Sequence, residues 1–375
     1  MPRYIPSLDG LRAIAVLLVL WCHIPLTTPG YAIWLAEIRW WVRPGDFGVE
    51  LFFALSGFLI TRILLAERER NQPVRWFMLR RLLRIFPIYY LLLIVMAFTQ
   101  PASQIAWCAF YLGNFADVFF PTRGPNPLGH TWSLCVEEHF YVLWPLVVAC
   151  FAPKVGPRVL KWGLIPIAIG TAFTLCLTID PKTAANAIEH LTPTRSLPLA
   201  CGALLAYSEA RRNASPRRLL ALAIAMTAIG LMTHPNLWFV YIPFAWLQTS
   251  YWPLEYAPAF TRIHMAILCT GVVAWCVAPP GPMTLIHRIL AFAPLRAIGR
   301  ISYGLYLYHL PIFHKFIHSN PANQEDAGTN VMLAVIATFS VATASYWVIE
   351  RPILKYAGRF RQRQSPPSLA MRDSH

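Results

Sequence analysis

Apolar residues along this chain come in blocks of roughly 15 to 20, broken by short polar stretches. A helix needs about 20 mainly apolar residues to cross a bilayer. The blocks predict spans at roughly 11–29, 47–66, 82–99, 137–152, 162–179, 195–208, 218–232, 262–278, 298–318 and 330–349. The segment 237–258 is also apolar but carries Pro243, Pro253, Pro258 and Glu255, so it reads as an eleventh crossing or as an interfacial or re-entrant piece. No internal repeat or soluble domain is visible. The expected fold class is therefore an all-α integral membrane protein, a polytopic bundle of about ten transmembrane helices with eleven possible.

Charge orients the bundle. Cytoplasmic loops of membrane proteins carry an excess of Lys and Arg. The loop 62–84 holds seven arginines against Glu67 and Glu69, and Arg211, Arg212, Arg217 and Arg218 cluster in the next basic loop. Arg288, Arg296 and Arg300 precede the ninth span, and Arg351, Lys355, Arg359, Arg361 and Arg363 follow the last. Ten crossings with both termini cytoplasmic satisfy all of these. The predicted organisation is a membrane domain over 1–350 and a basic, disordered cytoplasmic tail over 351–375.

Composition adds little to this but excludes much. Hydrophobic residues make up 57%, charged residues 13%, and mean hydropathy is +0.47. The net charge of +15 sits in the loops that set topology and does not call for nucleic acid. The eight cysteines are scattered through apolar runs and read as small buried hydrophobes. No metal-ligand spacing, phosphate-binding loop or nucleophile elbow is present, so neither a metal nor a bound cofactor is expected.

Polar residues inside the spans carry the chemistry, because such residues are costly in hydrocarbon. Arg12 and His23 are 11 residues apart, three helical turns plus roughly 20°, so they share one face about 16 Å apart along the axis. Asp9, one turn before Arg12, is placed to pair with it. Arg81 and Arg84 share a face just before the third span and suit an anion clamp for phosphate. In the second span, Ser56-Gly57-Phe58 sets small residues into a bulky helix, with Glu50 near its outer entrance. The fourth span enters through His130, Trp132 and Ser133, then Glu137 and Glu138, a cluster that suggests a polar cavity. Ser302, Tyr306 and His309 form one stripe on the ninth span, facing either substrate or other helices. The inventory points to group transfer: a phosphorylated donor at a basic inner mouth, a histidine base, and an acceptor on the far side.

The motifs LDGLRAIAVLLVLWCH, GVELFFALSGFLIT, RRLLRIFPIYY, HTWSLCVEEHFYVLWP, GRISYGLYLYHLPI and IERP occur in that order. By them the chain resembles the type-3 membrane acyltransferase family over nearly its whole length. The resemblance implies an acetyl-CoA-dependent O-acyltransferase of the bacterial cytoplasmic (inner) membrane, acting on a cell-surface or exported polysaccharide or a lipid-linked glycan. Acyl-CoA is then a co-substrate, and the bilayer and the glycan are the partners. It implies a catalytic role for His23 with Arg12 and Asp9. Arg81, Arg84, Ser56, Gly57 and Phe58 are implied on the donor side. Glu50 stands where Asp is commoner in the family. Glu50, His130, Trp132, Ser133, Glu137, Glu138, Ser302, Tyr306 and His309 remain candidates for the cavity that receives the acceptor. Some members append a secreted hydrolase-like domain; this chain ends about 25 residues after its last span, so it is expected to act alone or with a separate partner. Direct attack of the acceptor hydroxyl and an acyl-histidine relay both fit, as do two alternatives: acylation of a small molecule such as a macrolide, and a transporter without covalent chemistry.

Overall fold

The computed structural model describes residues 4–24, 44–121, 126–210, 221–222, 224–229, 257–278, 284–318 and 327–362. All regular structure among them is helical. The helices are α1 (Pro6–His23), α2 (Pro44–Arg68), α3 (Val74–Met96), α4 (Ala102–Ala109), α5 (Gly113–Phe119) and α6 (Thr131–Cys150). A π turn (Leu160–Leu164) joins α7 (Val155–Val159) to α8 (Ile165–Thr178); α9 (Pro181–His190) and α10 (Thr192–Ala210) follow. After these come α11 (Ala257–Val277), α12 (Thr284–Leu290), α13 (Ala293–Phe313), α14 (Ala327–Ser345) and α15 (Arg351–Gln362), with π turns at His314–His318 and Tyr346–Glu350.

Six helical stretches among the described residues are long and apolar enough to cross a membrane: Pro6–His23, Pro44–Arg68, Thr131–Cys150, Val155–Thr178, Pro258–Val277 and Gly328–Gly358. Helices α3, α10 and α13 have similar length but carry more polar sequence, including Arg81 and Arg84, Arg195, and Arg296 and Arg300. Of the expected span 218–232, residues 221–222 and 224–229 are described and helical, while the segment 237–258 falls almost wholly outside the described residues. The basic segment after Glu350 continues as a helix as far as Gln362, packed against α3; residues 363–375 lie outside the described residues. Outward faces are apolar: Leu143 is 63% exposed, Leu177 67% and Val348 74%. Water would not tolerate so much contiguous apolar surface, whereas lipid does.

Lipid tails are as apolar as leucine, so helices in a bilayer associate through close packing. α2 and α10 do this reciprocally. A Cβ on Gly57 would stand 2.0 Å from the Leu199 carbonyl oxygen, and one on Gly202 would stand 2.0 Å from that of Ala54. Each glycine thus admits the other helix's backbone. α1 packs between α2 and α13. Near its start Gly299 of α13 meets the backbone of Asp9, and at its end the rings of His23 and His309 adjoin, so α1 and α13 run parallel. The two ends of α1 are therefore the two ends of the site.

Candidate functional site

At the Arg12 end, α1, α2, α3, α6 and α13 enclose a cavity of about 240 Å³. Arg12, Arg81 and Arg84 line it together with Ser56, Glu137 and Glu138. Three guanidinium groups thus face two carboxylates, which leaves room for an anion. Three side chains are locked together here. The Ser56 hydroxyl donates to Glu137 Oε1 (2.8 Å), and the Tyr141 hydroxyl donates to Glu137 Oε2 (2.9 Å) or Ser56 Oγ (3.0 Å). The Arg81 guanidinium lies over the rings of Phe77 and Tyr141, 5.6 and 5.5 Å from their centroids. Stacking of this kind fixes a guanidinium plane while leaving its N–H edge open.

At the other end of α1 is a second cavity of about 450 Å³, lined by His23, His130 and Trp132 and by Asp46, Asp117, Asn126, Asn186, Glu189 and His190. His309 packs behind two of these histidines, His23 and His130. The ring centroids of His23 and His309 are 4.8 Å apart, and those of His130 and His309 are 5.0 Å apart. Each ring is tied to a backbone carbonyl: His23 Nδ1 to Val19 (2.9 Å), His309 Nδ1 to Tyr306 (2.6 Å) and His130 Nε2 to Leu307 (3.0 Å). A carbonyl only accepts, so these bonds assign the N–H to the bonded nitrogen and the lone pair to the other. His23 therefore presents Nε2 as its basic nitrogen. Desolvation lifts the Asp117 carboxyl, on the short helix α5, above its ordinary value against the pull of His190.

Tyr306 and Val49 line both cavities. Tyr306 is 7% exposed, and its hydroxyl donates to the His130 carbonyl oxygen (3.0 Å). Ser133 Oγ lies against that hydroxyl and donates to the same carbonyl (3.1 Å). The Ser302–Tyr306–His309 stripe thus runs from the arginine cavity to the histidine cluster: Ser302 lines the first cavity, Tyr306 both, and His309 packs on His23. Helix α6 starts ahead of the expected span 137–152, so Ser133 and Thr131 lie in its first turn. Both hydroxyls bond back to carbonyls, of His130 and Leu128, and the helix begins at Thr131.

Glu50 lies inside the bundle in an ion network. Its Oε1 accepts from Arg195 (2.7 Å) and Arg262 (3.0 Å). Arg262 also reaches Glu189 (2.8 Å) and Asp46 (3.6 Å), both in the wall of the second cavity. The Arg195 guanidinium sits between Phe53 and Trp132, 5.4 and 4.7 Å from their centroids. Sequence reasoning missed both arginines. Each opens an apolar block and so looks like a boundary charge.

The remaining candidates separate clearly. Arg12, Arg81, Arg84, Ser56, Ser133, Glu137, Glu138, Ser302 and Tyr306 line the first cavity; His23, His130, Trp132 and again Tyr306 line the second. Gly57 and Phe58 line neither; Gly57 faces Leu199, and Phe58 is fully buried. Asp9 accepts a hydrogen bond from the Tyr4 hydroxyl, and among the described residues no ion pair joins it to Arg12.

A family model described as an acyltransferase domain matches residues 5–350. The chain is 31% identical to the peptidoglycan O-acetyltransferase OatA of Listeria monocytogenes serovar 1/2a, over 94% of this chain and 56% of that protein. It is 30% identical to the putative peptidoglycan O-acetyltransferase YrhL of Bacillus subtilis, over 94% and 55%. It is 29% identical to the O-acetyltransferase OatA of Staphylococcus aureus, over 94% and 58%. The chain thus spans little more than half the length of these curated relatives. No solved structure matches it. A family match over nearly the whole chain agrees with cavities built from the motifs that carry the resemblance, and the chain belongs to the type-3 membrane acyltransferase family.

Proposed function

We propose that this protein is a membrane O-acetyltransferase that takes an acetyl group from acetyl-CoA at its arginine-lined end and delivers it to a hydroxyl of a cell-wall or exported glycan at its histidine-lined end. One observation carries the reading: two cavities of opposite chemistry open from the two ends of α1 and share Tyr306 and Val49. The positive-inside rule supports a cytosolic arginine end. The names of the relatives support O-acetylation of a cell-wall glycan.

In this reading Arg12, Arg81 and Arg84 hold the phosphates of the donor, and the pantetheine arm extends past Ser56 towards Tyr306. His23 Nε2 takes the proton of the acceptor hydroxyl. The hydroxyl oxygen attacks the thioester carbonyl, the C–S bond breaks, and CoA leaves as the thiolate. In the relay variant His23 Nε2 attacks first, and the acetyl-imidazole then passes its acetyl group to the acceptor. Asn126, Asn186, Asp117 and Trp132 offer the amide, carboxylate and aromatic surfaces that suit a sugar better than an apolar small molecule.

The test uses purified protein in proteoliposomes with radiolabelled acetyl-CoA and a peptidoglycan oligomer. Label should move to the glycan with wild type and not with His23→Ala. Label transfer by His23→Ala at near wild-type rate removes the assignment.

A further inference from the structure

A third cavity, a groove of about 1090 Å³, opens sideways between α3, α13 and α14. Its walls are apolar, among them Leu91, Val95, Ile312 and Val348. Thr99 and Gln100 after α3 gather at one end with His314 and Lys315 after α13, while the Tyr308 and Ser345 hydroxyls bond each other (3.0 Å) further along the groove. Lys315 is exposed and makes no ion pair among the described residues, and no carboxylate lines the groove among them. The walls are interrupted on both sides. Pro311 breaks the hydrogen-bond ladder of α13, a π turn follows at His314–His318, and another lies opposite at Tyr346–Glu350. Short π segments of this kind recur at functional sites.

The polar end of the groove adjoins the glycan-side cavity. Asn126 lines that cavity and Pro127 the groove; Leu310 lines the cavity and Pro311 the groove. An occupant would therefore place an apolar chain against the walls, an anion at Lys315, and anything attached to that anion at the mouth beside His130. Bulk phospholipid has no need of this adjacency, whereas a lipid-linked sugar does. We propose that the groove binds the lipid anchor of a lipid-linked glycan acceptor, with the anchor's phosphate on Lys315. The proposal rests on the acceptor reading given above.

The probe is a photoactivatable polyprenyl phosphate, added to the full chain in phosphatidylcholine nanodiscs. Wild type should crosslink to it on α3, α13 or α14, and excess phosphatidylglycerol should compete poorly. Ala344→Trp fills the groove from an exposed lining position, and Lys315→Glu reverses the charge; each should reduce crosslinking at least tenfold, while His23→Ala leaves it unchanged. Ala344→Trp should also slow acetylation of a polyprenyl-linked oligosaccharide at least tenfold and leave a soluble oligosaccharide unaffected. Unchanged crosslinking in Lys315→Glu and Ala344→Trp, or equal competition by phosphatidylglycerol, overturns the proposal. Absence of acetyl transfer to any acceptor from wild type would instead count against the enzyme reading, which the crosslinking does not depend on.

Discussion

The imidazole rings of His23 and His309 lie 4.8 Å apart on two helices that run side by side, and each ring is fixed by its own backbone carbonyl. His309 is fully buried and lines neither the arginine cavity nor the glycan-side cavity. Under the proposed mechanism it is a positioning residue for His23. His309→Phe keeps a ring in the packing and removes the nitrogens. We expect kcat to fall by about ten- to a hundredfold, with the KM for acetyl-CoA unchanged. A raised KM with normal kcat would place His309 in donor binding instead.

Arg84 stands at the opposite end and should give the opposite split. A hydrogen bond to a charged group contributes roughly 1.5–3 kcal/mol, and about 1.4 kcal/mol is a factor of ten. Arg84→Ala should raise the KM for acetyl-CoA about tenfold or more and change kcat less. Steady-state kinetics over a range of donor concentration decide it, and an unchanged donor dependence removes the anion clamp.

Glu50 holds two buried arginines at once; its loss leaves Arg262 with Glu189 and Asp46 but leaves the fully buried Arg195 with Glu189 at 3.7 Å in place of a carboxylate at 2.7 Å. Removing one partner of a buried ion pair typically costs about 3–5 kcal/mol. Glu50→Ala should lower the thermal unfolding midpoint in detergent strongly. Glu50→Asp keeps the charge and should lose less. Wild-type midpoints in both variants would show that the network contributes no stability.

The glycines offer a paired contrast. Gly57→Ala drives a methyl group into the Leu199 carbonyl and should destabilise the protein by about 1–3 kcal/mol, the usual cost of overpacking. Gly170 in α8 has open space around it, so Gly170→Ala should stabilise by up to about 1 kcal/mol through helix propensity. Unfolding midpoints of the two variants check both signs.

Asp180 caps α9, the helix that carries Asn186, Glu189 and His190 to the histidine-lined cavity. Hydrogen bonding to Thr183 holds its carboxyl below the ordinary value. A depressed carboxylate stabilises above its unfolded pKa, about 3.9, and loses that contribution as pH falls through the folded value. Amide exchange across 183–190 should be faster in Asp180→Ala than in wild type at pH 7, and the difference should close below about pH 3.9.

How much of this was legible in the sequence depends on distance along the chain. The shared face of Arg12 and His23 follows from helical periodicity alone, and so does the stripe from Ser302 to His309. The partners of Glu50 do not, because they lie 145 and 212 residues away. The Ser-Gly-Phe motif shows the same limit. Its small residue was readable, and Ser56 lines the arginine cavity, but only the packed bundle shows that Gly57 faces a backbone carbonyl. Local periodicity says which side chains share a face; it cannot say what that face meets.

A partition one side chain thick separates the two cavities where Tyr306 bonds the His130 carbonyl. That thinness bears on the cell's energy supply. A continuous column of water through the bundle would let protons run down their gradient. The buried Tyr306 ring, held by hydrogen bonds, and Val49 border both chambers; under the proposed function they lie between the donor's thioester and the His23 imidazole. Under the proposed function, two carbons are handed across at this point while the membrane stays sealed to ions.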